Sequence, residues 1–368
     1  VIRLLVVDDS PLMRRLLTDL FAAAGDFDVE VARDGAEAIA KLHSFMPQVI
    51  TLDIHMPGMD GLACLDRIML ERPTAVVMVS SLTAQGADAT LEAIALGAVD
   101  FVAKPGGAIS LAIDDLAPAL VEKVRSAAGA RIPRTARLAE RIRLRAAPRP
   151  APIPAPIPTP RIAPPPPLPP PRAALPGEGL VLVGCSTGGP PALEALLTAL
   201  PADFPWPIVI AQHMPASFTG ALAQRLDRIC ALAVGEVSRA VPLEPGHAYI
   251  GRGDADLVIA RRVAGLVAMA APGSADYHWH PSVDRLVASA MLHVGPDRLI
   301  GVLMTGMGAD GANTMRQLHD QGGRTIAEAE DSAIVWGMPG ALVKLGGATL
   351  ISPLDRIAAD LLALMGKW

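Results

Sequence analysis

Between Ala146 and Pro176 the chain carries 15 prolines in 31 residues, including the unbroken run Pro164 to Pro167. Proline lacks a backbone N–H and fixes φ, so this stretch supports neither helix nor sheet and divides the chain. With 368 residues the protein is also too long for one ordinary core, and two folding units are expected, one on each side of the break. As a polyproline II rod rising about 3.1 Å per residue, the segment would reach roughly 95 Å and act as a semi-rigid spacer. Docking to a proline-binding partner is the other use open to such a run.

Charge follows the same division. Residues 1–125 hold 10 basic and 18 acidic side chains, residues 126–176 hold 9 and 1, and residues 177–368 hold 13 and 18. The basic middle could attract an acidic surface, but its bases are spaced by proline and alanine in the manner of a solvated linker. No basic helix with interleaved aromatics occurs, so nucleic acid is not an expected partner. Although 51% of residues are hydrophobic, no apolar run reaches the roughly 18 residues of a membrane span, and direct membrane insertion is not expected. The apolar start from Val1 meets Asp8 and Asp9 too soon for a signal peptide. Cys64, Cys185 and Cys230 are odd in number and far apart, which argues against structural zinc and fits a reducing, cytoplasmic compartment. The expected units are 1–125, a linker over 126–176, and 177–368.

Before the linker, apolar runs alternate five times with helical patterns, from VIRLLVV and MRRLLTDLFAAAG to VDFVAK and LAPALVEKVRSA. This predicts a five-stranded, parallel, doubly wound sheet with ligands beyond the carboxyl ends of its strands. Asp8 and Asp9 end the first strand, Asp53 the third, Ser80 the fourth and Lys104 the fifth, so these groups converge on one rim. Three carboxylates together repel unless a hard cation such as Mg²⁺ takes their oxygens. With that charge screened, one carboxylate can attack a phosphoryl group while an ammonium and a hydroxyl stabilise its oxygens, and Asp53 is best placed to attack.

With MPGMDG after Asp53 and the pair Lys104-Pro105, this unit resembles the response-regulator receiver family, whose fold is flavodoxin-like. The resemblance implies Asp53 as phosphoacceptor, Asp8, Asp9 and Asp53 as the metal site, and Ser80 and Lys104 as phosphate sensors. It also implies Phe101 as the aromatic switch position and a histidine kinase as phosphodonor.

After the linker, LVLVGCSTGGPPALEALL reads as strand, tight turn and helix, and Gly184-Cys185-Ser186-Thr187-Gly188 matches the GxSxG nucleophile elbow. Glycines permit the cramped turn, and the helix behind it points free N–H groups at developing negative charge. A phosphate cradle is the competing use of such a turn, but the P-loop lysine and GxGxxG are both absent. A serine nucleophile needs a base and an orienting acid at comparable strand ends. His213 follows PIVIAQ and Asp310 follows LIGVLMTG, with Glu328, Glu330 and Asp331 as rival acids. The order Ser, His, Asp differs from that of ordinary α/β hydrolases. His278 and His280 flank Trp279 without a further ligand cluster, which favours surface or substrate contact over metal. HAYIG, DLVIA and LVAMA suggest hairpins within a mostly parallel α/β sheet, and His247 reads as part of a hairpin turn.

In this unit GCSTGGP, QHMPASFTGALAQRL, HPSVDRL, LMTGMGADGA and AIVWGMPGALV occur in an order that resembles the chemotaxis protein-glutamate methylesterase family. The resemblance implies hydrolysis of glutamyl methyl esters on methyl-accepting chemoreceptors, with glutamine deamidation in some members. Ser186 would be nucleophile, His213 base, Asp310 its orienter, and the backbone N–H of Met307 an oxyanion donor. Ester hydrolysis would need no cofactor. Trp279-His280 stands where many relatives are expected to have Arg, and Cys185 where Ala is common. The alternative class is a noncatalytic receptor-binding adaptor under receiver control.

Overall fold

The central apolar runs become strands buried on both faces, as parallel sheets covered by helices require. The computed structural model describes residues 1–80, 84–104, 109–132 and 179–365, so the proline-rich segment lies outside the described residues. In the first unit β1 (Ile2–Val7), β2 (Phe27–Ala32), β3 (Val49–Asp53), β4 (Ala75–Ser80) and β5 (Asp100–Ala103) form one parallel sheet in the order β2-β1-β3-β4-β5. The helices α1 (Pro11–Ala24), α2 (Gly35–Ser44), α3 (Gly61–Glu71), α4 (Ala84–Ala95) and α5 (Ile109–Ala128) alternate with the strands. Asp34 and Asp60 start α2 and α3 by accepting the N–H groups of Glu37 and Ala63, each at 2.8 Å. The strand order reverses between β1 and β3, which opens a crevice beside Asp8, Asp9 and Asp53.

The second unit has a seven-stranded parallel sheet. Its strands are β6 (Leu180–Cys185), β7 (Ile208–Gln212), β8 (Ala233–Val237), β10 (His247–Gly251), β13 (Leu299–Leu303), β14 (Arg324–Glu328) and β15 (Leu350–Ser352), in the order β15-β14-β13-β6-β7-β10-β8. The short β9 (Val241–Pro242) joins the antiparallel hairpin β11 (Ala255–Arg262) and β12 (Gly265–Pro272) in a separate sheet. The hairpin expectation therefore holds for DLVIA and LVAMA but not for HAYIG. That segment pairs in parallel with β7 and β8, and His247 begins the strand rather than sitting in a hairpin turn. The helices are α6 (Gly189–Thr198), α7 (Ala216–Ile229), α8 (Val283–Met291), α9 (Ala312–Asp320), α10 (Met338–Lys344) and α11 (Leu354–Met365). Among the described residues no helix is long and apolar enough to cross a membrane.

The two units share a face. Helix α4 packs on α6 and α7, with Leu91 and Ile94 meeting Pro190, Pro191, Leu222 and Leu226. Beyond it the Phe101 and Phe218 rings lie 4.4 Å apart, and the Thr187 hydroxyl donates to Asp100. After α5, Arg131 reaches Glu330, 3.0 Å from its carboxylate, while its backbone N–H donates to Ile334 O.

Candidate active site

Reversal of strand order between β6 and β13 spreads the loops after those strands, and three neighbouring carboxyl ends supply the polar groups. Ser186 follows β6, His213 follows β7, and Asp310 lies in the loop after β13. The Ser186 turn is possible because Gly188 takes φ +77°, a left-handed conformation that glycine adopts without a Cβ clash. The Ser186 N–H donates to Thr305 O at 3.0 Å, and Ser186 O accepts the Gly189 N–H at 2.7 Å, which closes the turn onto α6. Gly306 has no room for a side chain, because a Cβ there would stand 2.8 Å from Ser186 Cβ. The backbone leading to Met307 thus runs against the serine.

His213 Nε2 lies 2.8 Å from Asp310 Oδ2. A carboxylate only accepts, so the ring proton sits on Nε2 and Nδ1 is left as a lone-pair acceptor. That Nδ1 is buried and has no hydrogen-bond partner among the described residues. His213 N–H donates to Cys185 O at 3.1 Å, which fixes the histidine beside the serine turn. Asp310 accepts three further donors: Ser282 Oγ at 3.0 Å, Val283 N at 2.7 Å and Asp284 N at 3.0 Å, the last two from the first turn of α8. Burial alone would raise the Asp310 carboxyl. The His213 hydrogen bond and the α8 N–H groups outweigh it and hold the group below the usual carboxylate range.

Of the rival acids, Glu328 is buried behind the serine rather than against His213: its Oε2 accepts Thr305 N–H at 2.7 Å and its Oε1 the Ser332 hydroxyl at 3.0 Å. Glu330 pairs with Arg131. Several supporting residues are invisible to motif reading. Gln212, at the end of β7, gives its amide N–H to Ser186 O and His213 O, and its Oε1 takes the Cys185 thiol. Its only sequence signal is a polar residue closing an apolar strand. Ser282 is legible as a helix cap, but its bond to Asp310 spans 28 residues.

In the first unit, Lys104 Nζ stands 2.7 Å from Asp53 Oδ2 and 3.0 Å from Asp8 Oδ2. Asp8 Oδ2 is buried and, apart from this ion pair, has no hydrogen-bond partner among the described residues. Burial raises the Asp8 carboxyl, Lys104 partly opposes this, and the Asp53 charge adds to it. One oxygen from each of Asp8, Asp9 and Asp53 lies within 4.8 Å of the others, a donor set that fits a small hard cation. The Ser80 hydroxyl donates to Gly86 O at 3.3 Å. Phe101 is buried against Phe218 of the second unit.

Comparison with known proteins gives two domain matches: a response regulator receiver domain over residues 4–113 and a CheB methylesterase over residues 181–361. The chain is 58% identical to protein-glutamate methylesterase/protein-glutamine glutaminase 2 of Rhodopseudomonas palustris (strain BisB18), over 97% of this chain and 96% of that one. It is 52% identical to protein-glutamate methylesterase/protein-glutamine glutaminase 3 of Rhodospirillum rubrum, over 99% and 96%. Among solved structures it is similar to the Thermotoga maritima CheB methylesterase catalytic domain, with 34% identity, 51% of this chain and 99% of that chain covered, and a TM-score of 0.49. Two relatives aligned over nearly their whole length, together with both domain matches, show that this chain belongs to the receiver-linked CheB methylesterase family.

Proposed function

We propose that the chain is a phosphorylation-activated protein-glutamate methylesterase, with glutamine deamidation as a second acyl transfer, acting in the cytoplasm on methyl-accepting chemoreceptors. The observation that carries the chemistry is the His213–Asp310 bond through Nε2, which leaves a buried Nδ1 free on a histidine whose backbone N–H is bonded to Cys185 O at the Ser186 turn. Ser186 Oγ attacks the ester carbonyl as His213 Nδ1 takes its proton. Asp310 holds the imidazole in the required tautomer and stabilises the imidazolium. The Met307 N–H, on the backbone beside Ser186, donates to the oxyanion. His213 returns the proton to the departing methoxide or amide nitrogen, then activates water to release the glutamate. A noncatalytic adaptor leaves this arrangement without a purpose.

Residues 1–125 form the regulatory unit in this reading, joined by the linker over 126–176 to the catalytic unit over 177–368. Asp53 accepts a phosphoryl group from a histidine kinase. Asp8, Asp9 and Asp53 would hold Mg²⁺, which when bound screens the carboxylates and phosphoryl oxygens. Lys104 and Ser80 then receive the new charge, which draws Lys104 from its Asp8 and Asp53 contacts. Phe101 lies in the contact with Phe218, so a change at β5 reaches the shared face directly. The unphosphorylated receiver covers the cleft, and phosphorylation uncovers it.

The test is methanol release from methylated chemoreceptor by wild type and Ser186→Ala, each with and without a small phosphodonor and Mg²⁺. Release should rise with phosphodonor and fall by about 10⁴-fold or more in the variant. No release from folded, phosphorylated wild type would instead favour the adaptor.

A further inference from the structure

The stretch His278-Trp279-His280 is not consumed by the reaction, yet it is held firmly. Asp256, buried at the start of β11, accepts Ser274 N–H at 3.2 Å, Ser282 N–H at 3.0 Å, His280 Nδ1 at 2.9 Å and the Arg285 guanidinium. Burial would raise this carboxyl, but the His280 bond, the Ser282 N–H and Arg285 together hold it low. One carboxylate thus ties both ends of the loop from Ser274 to Ser282. At its far end the loop delivers the Ser282, Val283 and Asp284 donors to Asp310. Near its middle it lays the Trp279 ring over His213, with centroids 5.3 Å apart and planes inclined by 13°. His278 meets the same indole edge-on at 4.8 Å.

We infer that Trp279 is a positioning residue for His213, and this rests on reading His213 as the base. An imidazole held by one hydrogen bond at Nε2 can still swing its plane about that bond. A ring stacked on its face removes this freedom, so the direction of Nδ1 stays fixed while Nε2 keeps Asp310. The indole face also attracts the imidazolium that forms as Ser186 loses its proton, an attraction that the neutral ring of the ground state lacks. The Asp256-anchored loop therefore grips both partners of the serine, one by its ring face and the other by its carboxylate.

The experiment is a double-mutant cycle in the full phosphorylated chain, reading methanol release from methylated receptor, with single turnovers at stoichiometric enzyme for slow variants. Trp279→Ala should lower kcat about 3- to 30-fold with KM nearly unchanged, and Trp279→Phe should recover most of the loss. In a His213→Ala background the same change should have less than about a twofold effect, because its route to the reaction is gone. Equal losses in both backgrounds, a loss carried by KM, or wild-type turnover in Trp279→Ala would overturn the inference. A Ser186→Ala chain as fast as wild type would remove the underlying site reading instead.

Discussion

Glu328 shows how one residue can matter to this site without touching substrate. Its carboxyl is fully buried, and burial pushes it up to about 7, with the Thr305 and Ser332 hydrogen bonds opposing the shift. Against an ordinary value of 4.5, the folded state binds more protons than the unfolded one over that interval. Stability should therefore fall as pH rises from about 4.5 to about 7 and then level off. The cost at pH 8 is of order 3 kcal/mol for a shift of this size. Glu328→Gln mimics the protonated form, so denaturant midpoints should match wild type near pH 5 and exceed it at pH 8. A gap independent of pH would show that the carboxyl does not titrate there. Sequence reading weighs Glu328 only as a substitute for Asp310, because a loop acid after a strand carries no mark of which neighbour it faces. Ser186, His213 and Asp310 are legible at the strand ends since each follows an apolar run. Gln212 and Asp256 are not, because their partners are set by strand neighbours far away in the chain.

At the scale of elements, parallel sheets place chemistry at strand ends, and both sheets here put their polar groups beside a reversal of strand order. The alternation of apolar runs and helical patterns makes the five-stranded sheet readable throughout. It misleads at β10, where a short run close to two others looks like a hairpin partner. The chain actually spends only β9 and a turn before returning in parallel beside β8. The contact between units is less legible still, since helix α4 is apolar on the face that meets α6 and α7 and nothing in its sequence separates this face from a core. Ile94 is 5% exposed within that contact, close to Glu194. Ile94→Asp removes buried apolar area worth about 2 kcal/mol and puts a carboxylate into that buried contact. Unphosphorylated methanol release should then rise about tenfold or more toward that of the catalytic unit alone. Unchanged basal turnover in a folded variant would mean that this face does not hold the enzyme closed.

In the whole molecule, the space left over His213 is bounded by both units. Phe101 and Lys123 come from one side and His213, Met214, Trp279 and His280 from the other, around a cavity of about 350 Å³. A glutamyl ester carried on a protein brings its backbone with it, and a helix with its side chains is about 10–12 Å across. An ester on a receptor therefore depends on parting of the units more than a free methyl ester of a glutamate derivative does. The docked receiver then works as a sieve rather than a plug, and phosphorylation widens its mesh. Phosphodonor should stimulate turnover of methylated receptor far more than turnover of the small ester, and the ratio of the two stimulations measures the size cut-off directly. Equal stimulation of both would mean that the receiver acts on the chemistry itself and not on what reaches it.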